Sequence, residues 1–112
     1  MKNIHFSWIH IGDGALYETL VLLAKNELSG LKNIEYSFVG RYENAKVYEF
    51  YSNNRVDVFL NTSLSEGVPV SIMEAMSCHI PIIAPDIGGI KDMLIHYHNG
   101  LLLSRECPIA EI

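Results

Sequence analysis

Apolar residues along the chain alternate between two kinds of spacing. Positions 4–11 are apolar and aromatic with polar breaks, which predicts a buried strand. Gly12-Asp13-Gly14 ends it. Leu16, Leu20, Leu23, Ala24 and Leu28 then recur at helical spacing, so an amphipathic helix is expected over 15–28. Ser29-Gly30 supplies its stop. A second strand is expected over 35–39, closed by Gly40, and a short helix over 44–51, with Asn44 placed to cap it. The pattern then predicts a strand over 56–61, a helix over 68–77 and a strand over 81–84. A further helix is expected over 89–97, and Asn99-Gly100 turns the chain into a fifth strand over 101–103.

Strands alternating with helices imply right-handed βαβ crossovers, hence an α/β fold with a parallel sheet of about five strands and helices on both faces. Near-continuous apolar strands suit a sheet covered on both sides. Such sheets bind ligands beyond the carboxyl ends of their strands. Gly12-Asp13-Gly14, Gly40-Arg41, the stretch 63–69 and the stretch 86–89 all follow strands, and their shared edge is the expected ligand site.

Size and composition narrow the class. A chain of 112 residues reads as a single domain, 49% hydrophobic and 19% charged, which fits a buried core. No apolar run approaches a membrane span, and the first residues lack a signal-peptide layout. The net charge of −5, with no basic cluster, argues against nucleic acid as a partner. Cys78 and Cys107 form no metal-like or C-x-x-C pattern and read as reduced thiols of a cytoplasmic protein. Of the five histidines, His5 and His10 fall in the first strand. His96 and His98 are expected at the end of the 89–97 helix, where a cationic imidazole is favoured. None has partners at metal-ligand spacing.

The densest chemistry lies between Ser63 and Met76. Glu66 and Glu74 are separated by seven residues across a helix start. Pro69 has a fixed φ and no N–H, so it suits a first turn. The amides of Gly67, Val68, Val70 and Ser71 then face outward and can hold an anion, most commonly phosphate. Gly67 has no Cβ and admits a ligand close to the backbone. A carboxylate at Glu74 can accept from two adjacent hydroxyls of a sugar. Taken singly, Glu66 and Glu74 also fit solvated surface acids, and the turn fits a plain loop-to-helix junction. Gly88-Gly89 serves equally as a structural turn or as a second anion-facing helix start. Arg41 fits a surface charge as well as a ligand contact.

This stretch resembles the E-x7-E signature of retaining glycosyltransferases of the GT-B fold, family 4 type (glycosyl transferases group 1). The likeness continues in order through Gly12-Asp13-Gly14, Val56-Asp57-Val58-Phe59-Leu60, Glu74-Ala75-Met76-Ser77-Cys78, Ile80-Pro81-Ile82-Ile83-Ala84, Gly88-Gly89-Ile90 and Asn99-Gly100-Leu101-Leu102-Leu103. It covers roughly residues 4–104. A lone pair of glutamates at this spacing is weak, but the ordered series is specific.

The resemblance implies the Rossmann-like, C-terminal, donor-binding half of a GT-B enzyme that moves a sugar from a nucleotide diphosphate to an acceptor hydroxyl with retention. Polysaccharide or glycolipid synthesis is the implied setting, with the full-length enzyme cytoplasmic or peripheral to a membrane. It assigns Glu66 to donor-sugar hydroxyls as the catalytic position. Gly67, Val68, Pro69, Val70 and Ser71 fall to the phosphates, and Glu74 to the ribose. Gly40 and Arg41 fall near the nucleobase, with Gly88 and Gly89 on the donor side. No cofactor and no metal is expected, because the chain has no D-x-D stretch. Charge on the leaving group then falls to helix dipoles and cations.

The family's first strand and helix of this domain, with their Arg and Lys, have no counterpart here. The expectation is therefore a partial domain, residues 1–112, inactive alone. It awaits an N-terminal acceptor-binding domain in cis or in trans. Two departures stand out. His79 replaces a usual glycine at a helix end, predicting a strained positive φ there. Asp92 replaces a glutamate.

Two rival readings share the architecture. One is a natural non-catalytic half of a split glycosyltransferase, against which the absent first βα unit counts. The other is a receiver-like or flavodoxin-like binding domain. That reading requires an acidic cluster at the strand ends or a hydroxyl-rich phosphate loop after the first strand, and the sequence has neither.

Overall fold

The computed structural model describes residues 3–62 and 69–104. The chain divides into two compact units, Met1–Lys46 and Val47–Ile112.

In the first unit, β1 (Phe6–Ile11) and β2 (Ile34–Gly40) lie parallel and are joined by α1 (Tyr17–Leu28). Their register sets Trp8 opposite Tyr36 and His10 opposite Phe38. Alternate strand residues share a face, so these four rings gather on one side. Trp8 and Phe38 meet edge to face with centroids 5.3 Å apart. Tyr17, in the first turn of α1, reaches the same cluster 5.9 Å from Phe38, and its hydroxyl donates to the Phe38 carbonyl at 3.2 Å.

The expectation of a fully buried first strand is not met. Phe6, Trp8 and Ile9 are exposed, and Ala24 is the buried residue of α1. A unit this small, with two strands and one full helix, has too little interior to cover both faces of its strands.

The second unit holds the core. Helix α2 (Asn44–Asn53) begins in the first unit and continues into the second. There follow β3 (Phe59–Leu60), α3 (Val70–Ser77), β4 (Ile82–Pro85) and β5 (Gly100–Leu103), with the strands parallel in the order β3-β4-β5. The expected parallel α/β pattern is thus present, with its five strands distributed as a pair and a triple. Ile72 and Ala75 of α3 are fully buried, as are Ile82 and Ala84 of β4 and Ile90 after it. Tyr51 of α2 packs against the same cluster with Phe59, Met76 and Cys78. Burying one isoleucine contributes about 1.5–3 kcal/mol, so these contacts hold α3 on the sheet.

Several elements differ from their expected extents. β3 is shorter than 56–61, because its ladder exists only where it meets Ile82 and Ile83 of β4. β2 and β4 differ by a residue at their ends. The helix expected over 89–97 is a 3-10 turn, Ile90–Asp92. Asn99 explains the loss. Its Oδ1 accepts the Ile95 N–H at 2.7 Å, and its Nδ2 donates to the Met93 carbonyl at 2.8 Å. One side chain thereby takes two backbone groups that a continuing helix would pair. His96 and His98 therefore do not sit at a helix end.

The end of α3 confirms the reading of His79. The Ile80 N–H donates to the Ala75 carbonyl at 3.1 Å and the His79 N–H to the Met76 carbonyl at 3.0 Å, a Schellman closure. His79 occupies its left-handed position with φ 60°. Gly100 answers a different demand. A Cβ there would run into the Ile82 carbonyl oxygen and come within 2.6 Å of Leu94 Cδ1.

Two stability outcomes follow. His79→Gly should raise unfolding free energy by about 1 kcal/mol by relieving left-handed strain. Gly100→Ala should lower it by about 1–3 kcal/mol through overpacking against β4. Urea denaturation of the two variants beside the parent chain measures both.

Candidate functional site

A βαβ crossover sets the direction of α3. The chain leaves the carboxyl end of β3, enters α3, and returns to begin β4 parallel to β3. The start of α3 therefore lies at the carboxyl edge of the three-stranded sheet, where such sheets hold ligands. Pro69 stands immediately before the helix with φ −80°, is fully buried, and accepts the Met73 N–H at 3.1 Å. Val70 and Ser71 are exposed. Their N–H groups find no acceptor among the described residues, as expected for a helix's first turn. Glu66, Gly67 and Val68 lie outside the described residues.

Glu74 sits one turn further on and is half-buried. It lies beside the buried stripe of Ile72 and Ala75 rather than on it. The Ser77 hydroxyl donates to its backbone carbonyl at 2.7 Å, leaving the carboxylate uncommitted by that bond. Tyr51 is the neighbour that sequence reasoning missed. Burial first, then the Glu74 carboxylate and the Cys78 thiolate, push its phenol up to about 12. No local motif links Tyr51 to Glu74, because they belong to different helices brought together by the core.

Gly88 and Gly89 follow β4 at the same sheet edge. Gly88 adopts φ 51°, a left-handed conformation that favours glycine. Gly89 opens the 3-10 turn. This pair is thus a turn without the full helix expected behind it, so the aligned-dipole contribution is missing there. Gly40 and Arg41 belong to the first unit. Gly40 closes β2 with φ 76°, and its carbonyl accepts the Gly12 N–H at 2.8 Å. Arg41 is exposed, and next to it the Lys46 ammonium lies 4.1 Å from the centre of the Tyr42 ring.

An open hollow of about 390 Å³ lies between Met76, His79, Pro81, His98 and Gly100. These residues mark the end of α3 and the starts of β4 and β5, so the hollow is at the opposite edge of the sheet from the α3 start. No described helix is long and apolar enough to cross a membrane.

Residues 3–110 match the family described as glycosyl transferases group 1. The chain is 32% identical over 109 residues to an uncharacterized glycosyltransferase of Methanocaldococcus jannaschii, covering 96% of this chain and 29% of that protein. It is 33% identical over 104 residues to the O-antigen biosynthesis glycosyltransferase WbnH of Escherichia coli, covering 93% of this chain and 27% of the relative. A GDP-mannose-dependent alpha-mannosyltransferase of Mycobacterium tuberculosis is 33% identical over 74 residues, 66% of this chain and 18% of that protein. In fold, the chain resembles the apo lipopolysaccharide outer core galactosyltransferase WaaB, with a TM-score of 0.70 and 23% identity. That likeness covers 94% of this chain and 37% of WaaB. The chain belongs to the glycosyl transferases group 1 family, and it spans under a third of the length of the first two of these relatives.

The phenol of Tyr51 gives a direct check on the site's charge. Its raised pKa means that folding favours the neutral phenol. The resulting stability is fully present below pH 10.0 and is lost as pH rises through about 12. Ultraviolet titration should place this phenol near 12, and Glu74→Gln should move it downward by removing one of the charges that raise it.

Proposed function

We propose that this member of the glycosyl transferases group 1 family is the donor-binding part of a retaining glycosyltransferase, C-terminal in the whole enzyme and of the family 4 type. The reaction moves a sugar from a nucleotide diphosphate sugar to an acceptor hydroxyl. The observation that carries the reading is the start of α3. It offers the first-turn amides of Val70 and Ser71, two exposed residues, at the carboxyl edge of a parallel sheet, with the half-buried Glu74 one turn on.

Each group has a chemical task in this reading. The amides of Val70 and Ser71, at the positive end of the helix dipole, hold a diphosphate oxygen. Gly67, Val68 and Pro69 shape that turn. Glu74 accepts from the two ribose hydroxyls, and the nearby Tyr51 phenol, held neutral, adds no competing charge. Gly40 and Arg41 meet the nucleobase, while Gly88 and Gly89 bring backbone close to the donor. Glu66 accepts from hydroxyls of the transferred sugar and orients it as the bond to the diphosphate breaks with oxocarbenium character. The leaving diphosphate gains negative charge, which the helix start offsets without a metal ion.

Names among the relatives support a glycan-building role, O-antigen synthesis in one and mannosyl transfer from GDP-mannose in another. The acceptor pocket falls to a separate N-terminal domain, so the 112-residue chain binds donor weakly and transfers no sugar alone.

Calorimetric titration with a panel of nucleotide diphosphate sugars tests this. At least one should bind, and Glu74→Ala should weaken it about tenfold, the scale of a lost charge-assisted hydrogen bond. Glu66→Ala should leave the bare nucleoside diphosphate bound and erase the preference for the sugar-bearing form. Equal affinities in the parent and Glu74→Ala chains, or robust sugar transfer by the isolated chain, would contradict the assignment.

A further inference from the structure

Among the described residues β5 is an outer strand, with β4 on one side only. The Asp86 N–H donates to the Leu103 carbonyl at 2.8 Å, so Leu103 turns its backbone toward β4. Backbone groups of alternate residues point to opposite edges, which turns the Gly100 carbonyl and the Leu102 N–H outward. Such an edge is ordinarily open to pairing with another strand.

Here the chain covers it from within. Tyr97 donates its N–H to the Gly100 carbonyl at 2.9 Å, and His96 forms a parallel bridge with Gly100. The Leu102 N–H donates to His96 Nδ1 at 3.0 Å. An imidazole nitrogen thus takes the place that a neighbouring strand would fill with a backbone carbonyl. Tyr97 holds the bend in a left-handed conformation, φ 62°, and its ring lies against the imidazole with centroids 4.0 Å apart.

A backbone N–H can only donate. Nδ1 must therefore keep its lone pair, and the proton of the neutral ring sits on Nε2. A charged ring carries N–H at both nitrogens and cannot accept. We propose that His96 is a proton-gated clasp on the outer edge of β5, closed when its ring is neutral and open when it is charged.

Tyr97 is the titratable group whose ring faces His96. Lys91 and Asp92 of the 3-10 turn and His98 of the bend are the other titratable groups nearby in the chain, and β5 carries none. None of them forms an ion pair with His96 among the described residues. Histidine is the side chain whose charge ordinarily changes between pH 5 and 8.

Amide exchange at Leu102, followed by NMR from pH 8 to pH 5 and corrected for intrinsic rates, tests the clasp. Protection in the parent chain should fall about three- to tenfold on acidification, the range for one exposed hydrogen bond. Leu101 and Leu103 should keep theirs. His96→Gln, whose amide does not titrate, should show no acid-dependent loss at Leu102. Ring nitrogen spectra of the parent chain at pH 8 should show Nδ1 unprotonated, a readout that needs no variant. The clasp is overturned by a flat Leu102 profile in the parent chain. It is equally overturned by the same acid loss in His96→Gln, by parallel loss at Leu101 and Leu103, or by a proton on Nδ1 at pH 8.

Discussion

The seating of α3 on β4 governs the rest of the second unit. Ile72 and Ala75 on the helix, with Ile82 and Ala84 on the strand, exclude water completely. The two alanines matter as much as the isoleucines, because small side chains let the helix backbone lie close to the sheet. With that stripe facing inward, the rotation of the helix is fixed. Val70 and Ser71 are then exposed at its start, and Glu74 is brought to the margin of the core beside Tyr51. A polar residue in place of Ile72 or Ala75 would leave an unpartnered group in the core and release the rotation on which the site depends.

Both ends of α3 are defined by local chemistry rather than by packing alone. Pro69 opens it without an N–H to satisfy, and the Schellman closure ends it at the cost of a left-handed His79. The sheet then supplies direction. A parallel crossover carries the helix start to the carboxyl edge and the helix end to the opposite edge, where the His79–His98 hollow lies. The fold thus separates the start of α3, with its exposed Val70 and Ser71, from a hollow bordered by imidazoles.

Much of this was legible in the residues themselves. Helical spacing located α1 and α3, the apolar runs located β2, β4 and β5, and Pro69 marked where α3 begins. A glycine replaced by His79 signalled the positive φ that the helix end shows. What periodicity could not reveal was competition from side chains. The run 89–97 has helical character, yet Asn99 pairs with Met93 and Ile95 and halts it after one 3-10 turn. Burial of β1 also escaped prediction, since an apolar strand sequence does not say how much structure is available to cover it. Within the candidate site, Pro69, Val70, Ser71 and Glu74 fall together along α3 as their spacing implied. Tyr51 was invisible because tertiary packing, not sequence proximity, brings it near Glu74.

In the proposed function, the first turn of α3 receives the phosphates of a nucleotide donor. Mapping amide chemical shifts while a nucleoside diphosphate is added measures this most directly. The largest changes should fall at Val70 and Ser71, extend to Glu74, and grow with ligand concentration along one binding curve. Changes confined to the opposite edge, around His79, His98 and Gly100, with Val70 and Ser71 unmoved, would contradict it.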